Sequence, residues 1–145
     1  MEIYHGAQTT YQIGYHVVWG VEYCKHLINN TMKRYLANLF KQICVSYEYH
    51  FICVGIAPNH IHLFAGAPPK IAPAKMIQVI KSISARAMYQ EFPQIRRSLY
   101  GGEVWKDGYY VGTIGEGQTE KTIMKYIAKQ GKHTDKEMKQ MKLFY

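Results

Sequence analysis

Cysteine is scarce in this chain of 145 residues, and the three that occur, Cys24, Cys44 and Cys53, lie far apart. No CxxC pair is present, which argues against a zinc knuckle, and an odd, widely spaced set does not suit a disulfide framework. We therefore expect reduced thiols in a cytosolic protein.

Long apolar runs are missing as well, and the N-terminus MEIYHGAQTT lacks the apolar core of a secretory signal. No stretch approaches the roughly 20 apolar residues that a membrane-spanning helix requires. Internal repeats and low-complexity linkers are also absent. These absences predict a cytoplasmic protein without a membrane partner. The length of 145 residues predicts one domain over residues 1–145.

Acidic residues are few, with 10 Asp and Glu against 18 Lys and Arg, which gives a net charge of +8. A hydrophobic content of 48% excludes a disordered chain, and the excess positive charge suits a polyanionic partner. Nucleic acid is the commonest such partner, although many small proteins are basic without binding it. The 13 tyrosines could stack on unpaired bases or fill half-buried sheet positions.

The apolar pattern predicts the order strand, helix, strand, strand, helix, strand, helix. The predicted strands are Tyr11 to Tyr23, Tyr47 to Gly55, His60 to Ala65 and Glu103 to Ile114. The first predicted helix follows the possible N-cap residues Asn29 to Thr31 and ends near Val45. The second runs from Pro73 to just before Pro93, and the third from Thr119 to Gly131. This order predicts an α+β, ferredoxin-like or RNA-recognition-motif-like antiparallel sheet with an extra C-terminal helix. Residues 131–145 form a basic tail.

His60 and His62 flank Ile61 on the third predicted strand. Side chains alternate along a strand, so residues two apart point to the same face, a few ångströms from each other. Two imidazoles placed in this way can hold a divalent cation, although such a pair can also consist of two unrelated histidines. The apolar neighbours Leu63 and Phe64 favour the metal interpretation, because they anchor the strand in a core.

Tyr126 and Gln130 share one face of the last predicted helix, because they are four residues apart. The phenol is a candidate nucleophile, and the amide oxygen could complete a metal site. A helical tyrosine is more often a packing residue, so Tyr126 and Gln130 indicate an active site only together with the histidines.

The run PNHIHLF followed by YIAKQ resembles the single-tyrosine branch of the HUH (His-hydrophobic-His) nucleases. The segments HVVWG, KMIQVIKSISARAM and WKDGYYVGTIG occur in the order typical of the small insertion-sequence transposases of TnpA type. The resemblance covers most of the chain. Asn59 stands where an Asp commonly precedes the motif, and GVEYCKH after Trp19 is less basic than usual.

The resemblance implies that His60, His62 and Gln130 hold a divalent metal ion and that Tyr126 is the nucleophile. A mixed set of nitrogen and oxygen donors that leaves coordination positions open suits Mg²⁺ or Mn²⁺. It implies a DNA transposase that cleaves and rejoins single-stranded DNA through a 5′-phosphotyrosine intermediate and recognises hairpins near transposon ends. It also implies a homodimer, in which the tyrosine helix of one subunit can complete the active site of the other.

Basic residues on and after the second helix are candidates for DNA contacts, with a solvated helix face as the plain alternative; they are Lys75, Lys81, Arg86, Arg96 and Arg97. The sequence is also compatible with two other functions. One is a non-catalytic ferredoxin-like module that binds nucleic acid. The other is a different HUH nickase, either a replication initiator or a domesticated protein acting on chromosomal repeats.

Overall fold

The computed structural model describes residues 2–6 and 9–114, together with residue 125. Its strands are β1 (Tyr4–His5), β2 (Thr10–Tyr11), β3 (Tyr15–Gly20), β4 (His50–Ala57), β5 (His60–Gly66) and β6 (Tyr110–Thr113). Its helices are α1 (Asn30–Ser46), α2 (Pro73–Glu91) and the short α3 (Ile95–Ser98), and a 3₁₀ turn spans Glu22–Cys24. Apart from residue 125, which is helical, the predicted third helix and the basic tail lie outside the described residues.

Four strands form one antiparallel sheet in the order β4-β5-β3-β6. The first long strand, β3, therefore lies beside the third, β5, and the two helical connections cross one face of the sheet. This is the strand order of the ferredoxin-like plan, so the predicted fold class is confirmed. The turn after Ala57 joins β4 and β5 as an antiparallel pair, as its length predicted.

Helix α1 begins where its sequence predicts, because the Asn29 side chain accepts a hydrogen bond from the backbone N–H of Met32 at 2.9 Å. Tyr47 closes the helix, and Glu48 has a positive φ of 58°. The predicted strand from Tyr47 was therefore wrong at its start, because the chain needs these residues to leave the helix before β4 begins at His50.

The core lies between the two long helices and one face of the sheet. Trp19 and Leu63 from the sheet are fully buried there with Phe40 of α1 and Ile80 of α2. The Trp19 and Phe40 rings meet edge to face with centroids 5.7 Å apart. The opposite sheet face carries a smaller cluster around Phe64, and the histidine pair lies on this second face.

The predicted strand from Glu103 to Ile114 is a strand only at Tyr110–Thr113. The residues before it meet the chain at the end of β3 in an isolated antiparallel bridge between Val21 and Trp105, where the Lys106 N–H donates to the Gly20 carbonyl at 2.8 Å. They are also bonded to α2. Lys81 of α2 donates to the carbonyls of Lys106 and Gly108, and the Trp105 indole N–H donates to the Ser84 hydroxyl. The first predicted strand is likewise shorter, since the chain turns away from the sheet after β3.

The small hairpin of β1 and β2 is absent from the sequence-based prediction. It packs on the start of β4, where Tyr4 stacks on His50 with ring centroids 3.6 Å apart. The Tyr11 hydroxyl lies 2.7 Å from Nε2 of the same histidine. Among the described residues, no helix combines the length and apolar character needed to cross a membrane.

Candidate active site

His60 and His62 lie on β5, an inner strand of the sheet, and both are almost fully buried, with exposures of 5% and 2%. Their ring centroids are 4.8 Å apart, and the rings are inclined by 75°. The expected placement of the two imidazoles on one face is therefore confirmed. Because β5 is hydrogen-bonded on both sides, the pair has a rigid base.

Three of the four residues that pair with the two histidines across the sheet are small, and the fourth is Val18 of β3, opposite His62. Gly20 of β3 and Ala57 of β4 pair with His60, and Gly55 of β4 pairs with His62. A glycine adds no side chain and an alanine adds only a methyl group, so these strand neighbours do not crowd the imidazoles. Little bulk therefore lies beside His60 on either neighbouring strand, whereas His62 has Gly55 on one side and Val18 on the other.

The Nδ1 atoms of both histidines are held by protein groups. The side-chain oxygen of Asn59 lies 2.8 Å from Nδ1 of His60. Nε2 of His16, on β3, lies 3.0 Å from Nδ1 of His62. Since each Nδ1 is engaged in this way, Nε2 is the atom with which each ring would bind a metal.

His16 is fixed by aromatic contacts as well as by this hydrogen bond. Its ring stacks on Phe64 with centroids 4.3 Å apart and planes 6° from parallel. The Tyr110 ring of β6 lies in a T-shaped arrangement with it, with centroids 5.8 Å apart. Burial lowers the pKa of His16 to about 4, so the ring is neutral at physiological pH. A neutral imidazole can accept a hydrogen bond through one nitrogen and donate through the other.

The residues present fit a divalent metal ion as a partial ligand set. Two imidazole nitrogens on a rigid strand, each supported by a hydrogen bond to the other ring nitrogen, are the usual protein donors for such an ion. Within residues 2–6 and 9–114, however, no group of three His, Cys, Asp or Glu side chains is placed to hold one. Gln130 and Tyr126, the predicted third ligand and the predicted nucleophile, lie outside the described residues.

Four of the five basic residues predicted to contact DNA line two grooves beside α2 and α3. A groove of about 710 Å³ between α2 and residues 101–109 is lined by Lys81 and Arg86. A second, of about 730 Å³, is lined by Arg96 and Arg97. Both grooves include Gly101, so they adjoin each other. The fifth candidate, Lys75, is exposed in the first turn of α2.

Lys81 differs from the other four because its ammonium group already donates to two backbone carbonyls, at 3.0 Å and 2.9 Å. Burial lowers the pKa of this lysine, while Asp107 and Glu103 oppose the shift. Its position ties α2 to the segment before β6. Contact of Lys81 with DNA stays a prediction, as it does for the arginines.

The sequence did not indicate the role of two residues of this site. His16 contacts His62, and the Asn59 side chain contacts His60. His16 belongs to the HVVWG strand, but no local pattern relates it to a histidine 46 positions away. The signal lies in the pairing register, which sets Val18 opposite His62 and His16 opposite Phe64. Asn59 drew notice only as a departure from the usual Asp, although its amide oxygen can accept the same hydrogen bond.

An antiparallel ferredoxin-like sheet with a His-hydrophobic-His pair on an inner strand defines the class of the HUH enzymes. A family model described as "Transposase IS200 like" matches residues 9–130, which include Tyr126 and Gln130. The chain is 30% identical over 130 residues to the ISDra2 transposase TnpA of Deinococcus radiodurans, across 90% of this chain and 92% of that protein. The chain therefore belongs to the IS200-like transposases, single-strand DNA endonucleases and transposases that use a tyrosine.

Solved structures agree with this assignment. The chain is similar to a provisionally assigned transposase of Deinococcus radiodurans R1, with 26% identity and a TM-score of 0.72 over 88% of this chain and 97% of that one. The fold is also shared with a REP-associated tyrosine transposase bound to a REP hairpin, at 12% identity and a TM-score of 0.54, over 88% of this chain and 68% of that one. The predicted family and enzyme class are thereby confirmed, and membership of an enzyme family favours the transposase over the non-catalytic module.

Proposed function

We propose that this transposase cleaves and rejoins single-stranded DNA at the ends of an insertion sequence, with His60 and His62 as metal ligands and Tyr126 as the nucleophile. The observation that carries the proposal is the buried histidine pair, 4.8 Å between ring centroids, with both Nδ1 atoms held by protein groups. A pair of this kind within a tyrosine transposase family suits phosphodiester chemistry better than structural packing. The enzyme acts on DNA in the prokaryotic cytoplasm as one domain over residues 1–145, with 131–145 as a basic tail.

HUH transposases generally depend on a metal. We propose that this enzyme uses Mg²⁺ or Mn²⁺, held by His60, His62 and Gln130. Two imidazole nitrogens and the amide oxygen of Gln130 form a mixed set that suits Mg²⁺ or Mn²⁺. When bound, the ion supplies positive charge for the scissile phosphate and a fixed position for it. The protein contributes the rigid strand that holds His60 and His62 at a constant spacing.

The proposed covalent step uses the phenol of Tyr126. Its oxygen forms a bond to the scissile phosphorus, and the bond from that phosphorus to the 3′ oxygen breaks. The phenol loses one proton and the departing 3′ oxygen gains one, so the step is balanced. The products are a 5′-phosphotyrosine and a 3′-hydroxyl. Because the ester keeps the energy of the original bond, a 3′-hydroxyl can reverse the step and join strands without ATP.

The DNA-binding part of the proposal rests on charge and on the grooves beside α2 and α3. Arg86, Arg96 and Arg97 are exposed there, and the whole chain carries a net charge of +8. Arginines pair with phosphate oxygens, which dominate the affinity of proteins for nucleic acids. We assign this surface to the stem of a hairpin near the transposon end.

Formation of a covalent protein–DNA adduct tests the proposed chemistry directly. The enzyme is incubated with a labelled single strand that carries the ends of its element, in Mn²⁺ or in EDTA, and separated under denaturing conditions. We expect a labelled protein band only with the metal. Cleavage in Mn²⁺ without any adduct would replace the tyrosine mechanism by hydrolysis through a water molecule.

We also propose a homodimer with shared active sites, which a complementation experiment tests. Tyr126→Phe and His62→Ala subunits are each expected to be inactive alone. After mixing and subunit exchange, one site of each mixed dimer would hold an intact tyrosine and an intact histidine pair, so part of the activity should return. An active enzyme that sediments as a strict monomer would contradict the shared site.

A further inference from the structure

The contact between His16 and His62 joins two neighbouring strands of the sheet. Nε2 of His16 lies 3.0 Å from Nδ1 of His62, and the two ring centroids are 5.3 Å apart. The register sets His16 directly opposite Phe64, so His16 and His62 are diagonal neighbours on one sheet face. His16 is neither one of the proposed metal ligands nor the proposed nucleophile.

We infer that His16 is a positioning residue that fixes the tautomer of His62 so that Nε2 of His62 can bind the metal. The inference rests on the proposed function of the histidine pair. His16 acts through His62 and is not itself a ligand.

The chemistry of the hydrogen bond explains this role. A neutral imidazole carries its proton on one nitrogen and offers a lone pair on the other. If Nδ1 of His62 donates to Nε2 of His16, then Nε2 of His62 has its lone pair available for a metal. The opposite polarity would leave a proton on Nε2 of His62 and block coordination. The function of the pair therefore requires His16 to be the acceptor.

The neighbouring histidine supports the same polarity. Nδ1 of His60 lies 2.8 Å from the side-chain oxygen of Asn59, which can only accept. His60 is therefore held as the Nδ1–H tautomer, and its lone pair is on Nε2. With His16 as the acceptor for His62, both rings of the pair present the same nitrogen. The sheet thus supplies one acceptor from the turn before β5 and a second from β3.

The surroundings of His16 keep its Nε2 directed at His62. Phe64 covers one face of the ring in a parallel stack, and the Tyr110 ring of β6 packs against it in a T-shaped arrangement. A ring held on two sides cannot rotate away without losing the stack. The acceptor is therefore pre-organised rather than recruited when a metal arrives.

Histidine ¹⁵N NMR of the metal-free, full-length protein tests the tautomer. The ring nitrogen shifts distinguish Nδ1–H from Nε2–H, and the His62→Ala variant assigns the His62 signals by their loss. We expect His62 in the Nδ1–H form in the wild type and a mixture of forms in His16→Phe. A wild-type His62 in the Nε2–H form would overturn the inference.

The inference also predicts that His16 strengthens metal binding. Mn²⁺ affinity tests this, measured without DNA from the electron paramagnetic resonance signal of the unbound ion. His16→Phe keeps an aromatic ring against Phe64 but removes the acceptor, and should weaken binding by about 10- to 100-fold, the usual effect of losing an outer-shell hydrogen bond. His16→Gln should restore most of the affinity, because its amide oxygen reaches the place of Nε2. His16→Asn is the matched control, since its shorter amide cannot reach His62 and should not rescue.

The failure of this inference and the failure of the proposed function give different results. If His62→Ala retains Mn²⁺ binding, the ligand assignment is wrong. If His62→Ala loses binding while His16→Phe and His16→Asn bind as tightly as the wild type, only the positioning role is refuted. Equal melting temperatures for the Gln, Asn and Phe variants would show that the affinity pattern does not arise from unfolding.

Discussion

The Tyr126→Phe variant is expected to form no covalent adduct with DNA and to lose cleavage by roughly a thousandfold or more, the scale on which removal of a catalytic nucleophile acts. The substitution deletes one oxygen and changes the volume little, so folding and hairpin binding should persist. The measurement combines denaturing gels of labelled single strands in Mn²⁺ with mass spectrometry of the modified peptide.

The claim is specific because the chain has 13 tyrosines. Tyr47→Phe is a suitable control, since Tyr47 is half exposed at the end of α1 and its ring stacks on Tyr49 rather than on the histidine pair. It should form the adduct at the wild-type rate. An adduct on another tyrosine, or one that survives in Tyr126→Phe, would show that the nucleophile is assigned to the wrong residue.

The His62→Ala variant is expected to lose metal-dependent cleavage by more than the roughly 10- to 100-fold typical of outer-shell changes, because a ligand itself is removed. Hairpin binding should largely remain, since contacts with phosphates supply most of the affinity for DNA. Cleavage rates in Mn²⁺ and hairpin binding by gel shift are measured on the same preparation, so that misfolding and loss of chemistry are separated.

His50→Ala provides a matched control for this experiment. His50 is also a partly buried histidine of the sheet, but it contacts Tyr4 and Tyr11 of the N-terminal hairpin rather than the His60–His62 pair. We expect its cleavage rate to stay close to that of the wild type. Unchanged Mn²⁺-dependent cleavage in His62→Ala would refute the metal assignment.

Local chemistry explains why much of this protein could be predicted from its sequence. Asn29 caps a helix because its side chain reaches a backbone N–H three residues later, and Pro73 suits the first turn of α2. His60 and His62 share a face because a strand repeats every two residues. Each of these relations spans a few positions, so the order of residues determines it directly. The motifs PNHIHLF and YIAKQ likewise indicated the family before any fold was known.

Contacts between distant residues were decided only by the tertiary structure. His16 meets His62 because β3 pairs with β5 in one register, and a shift of one residue would turn His16 to the other face. Residues 103–109 contain strand-forming types, yet they form an isolated bridge between Trp105 and Val21 instead of a full strand. Lys81 and Ser84 of α2 bind two of their backbone carbonyls and the Trp105 indole. Such partners lie 21 to 46 positions apart along the chain. Residue preferences and periodicity describe near neighbours, so the contact of His16 with the histidine pair could be recognised only from the pairing of the strands.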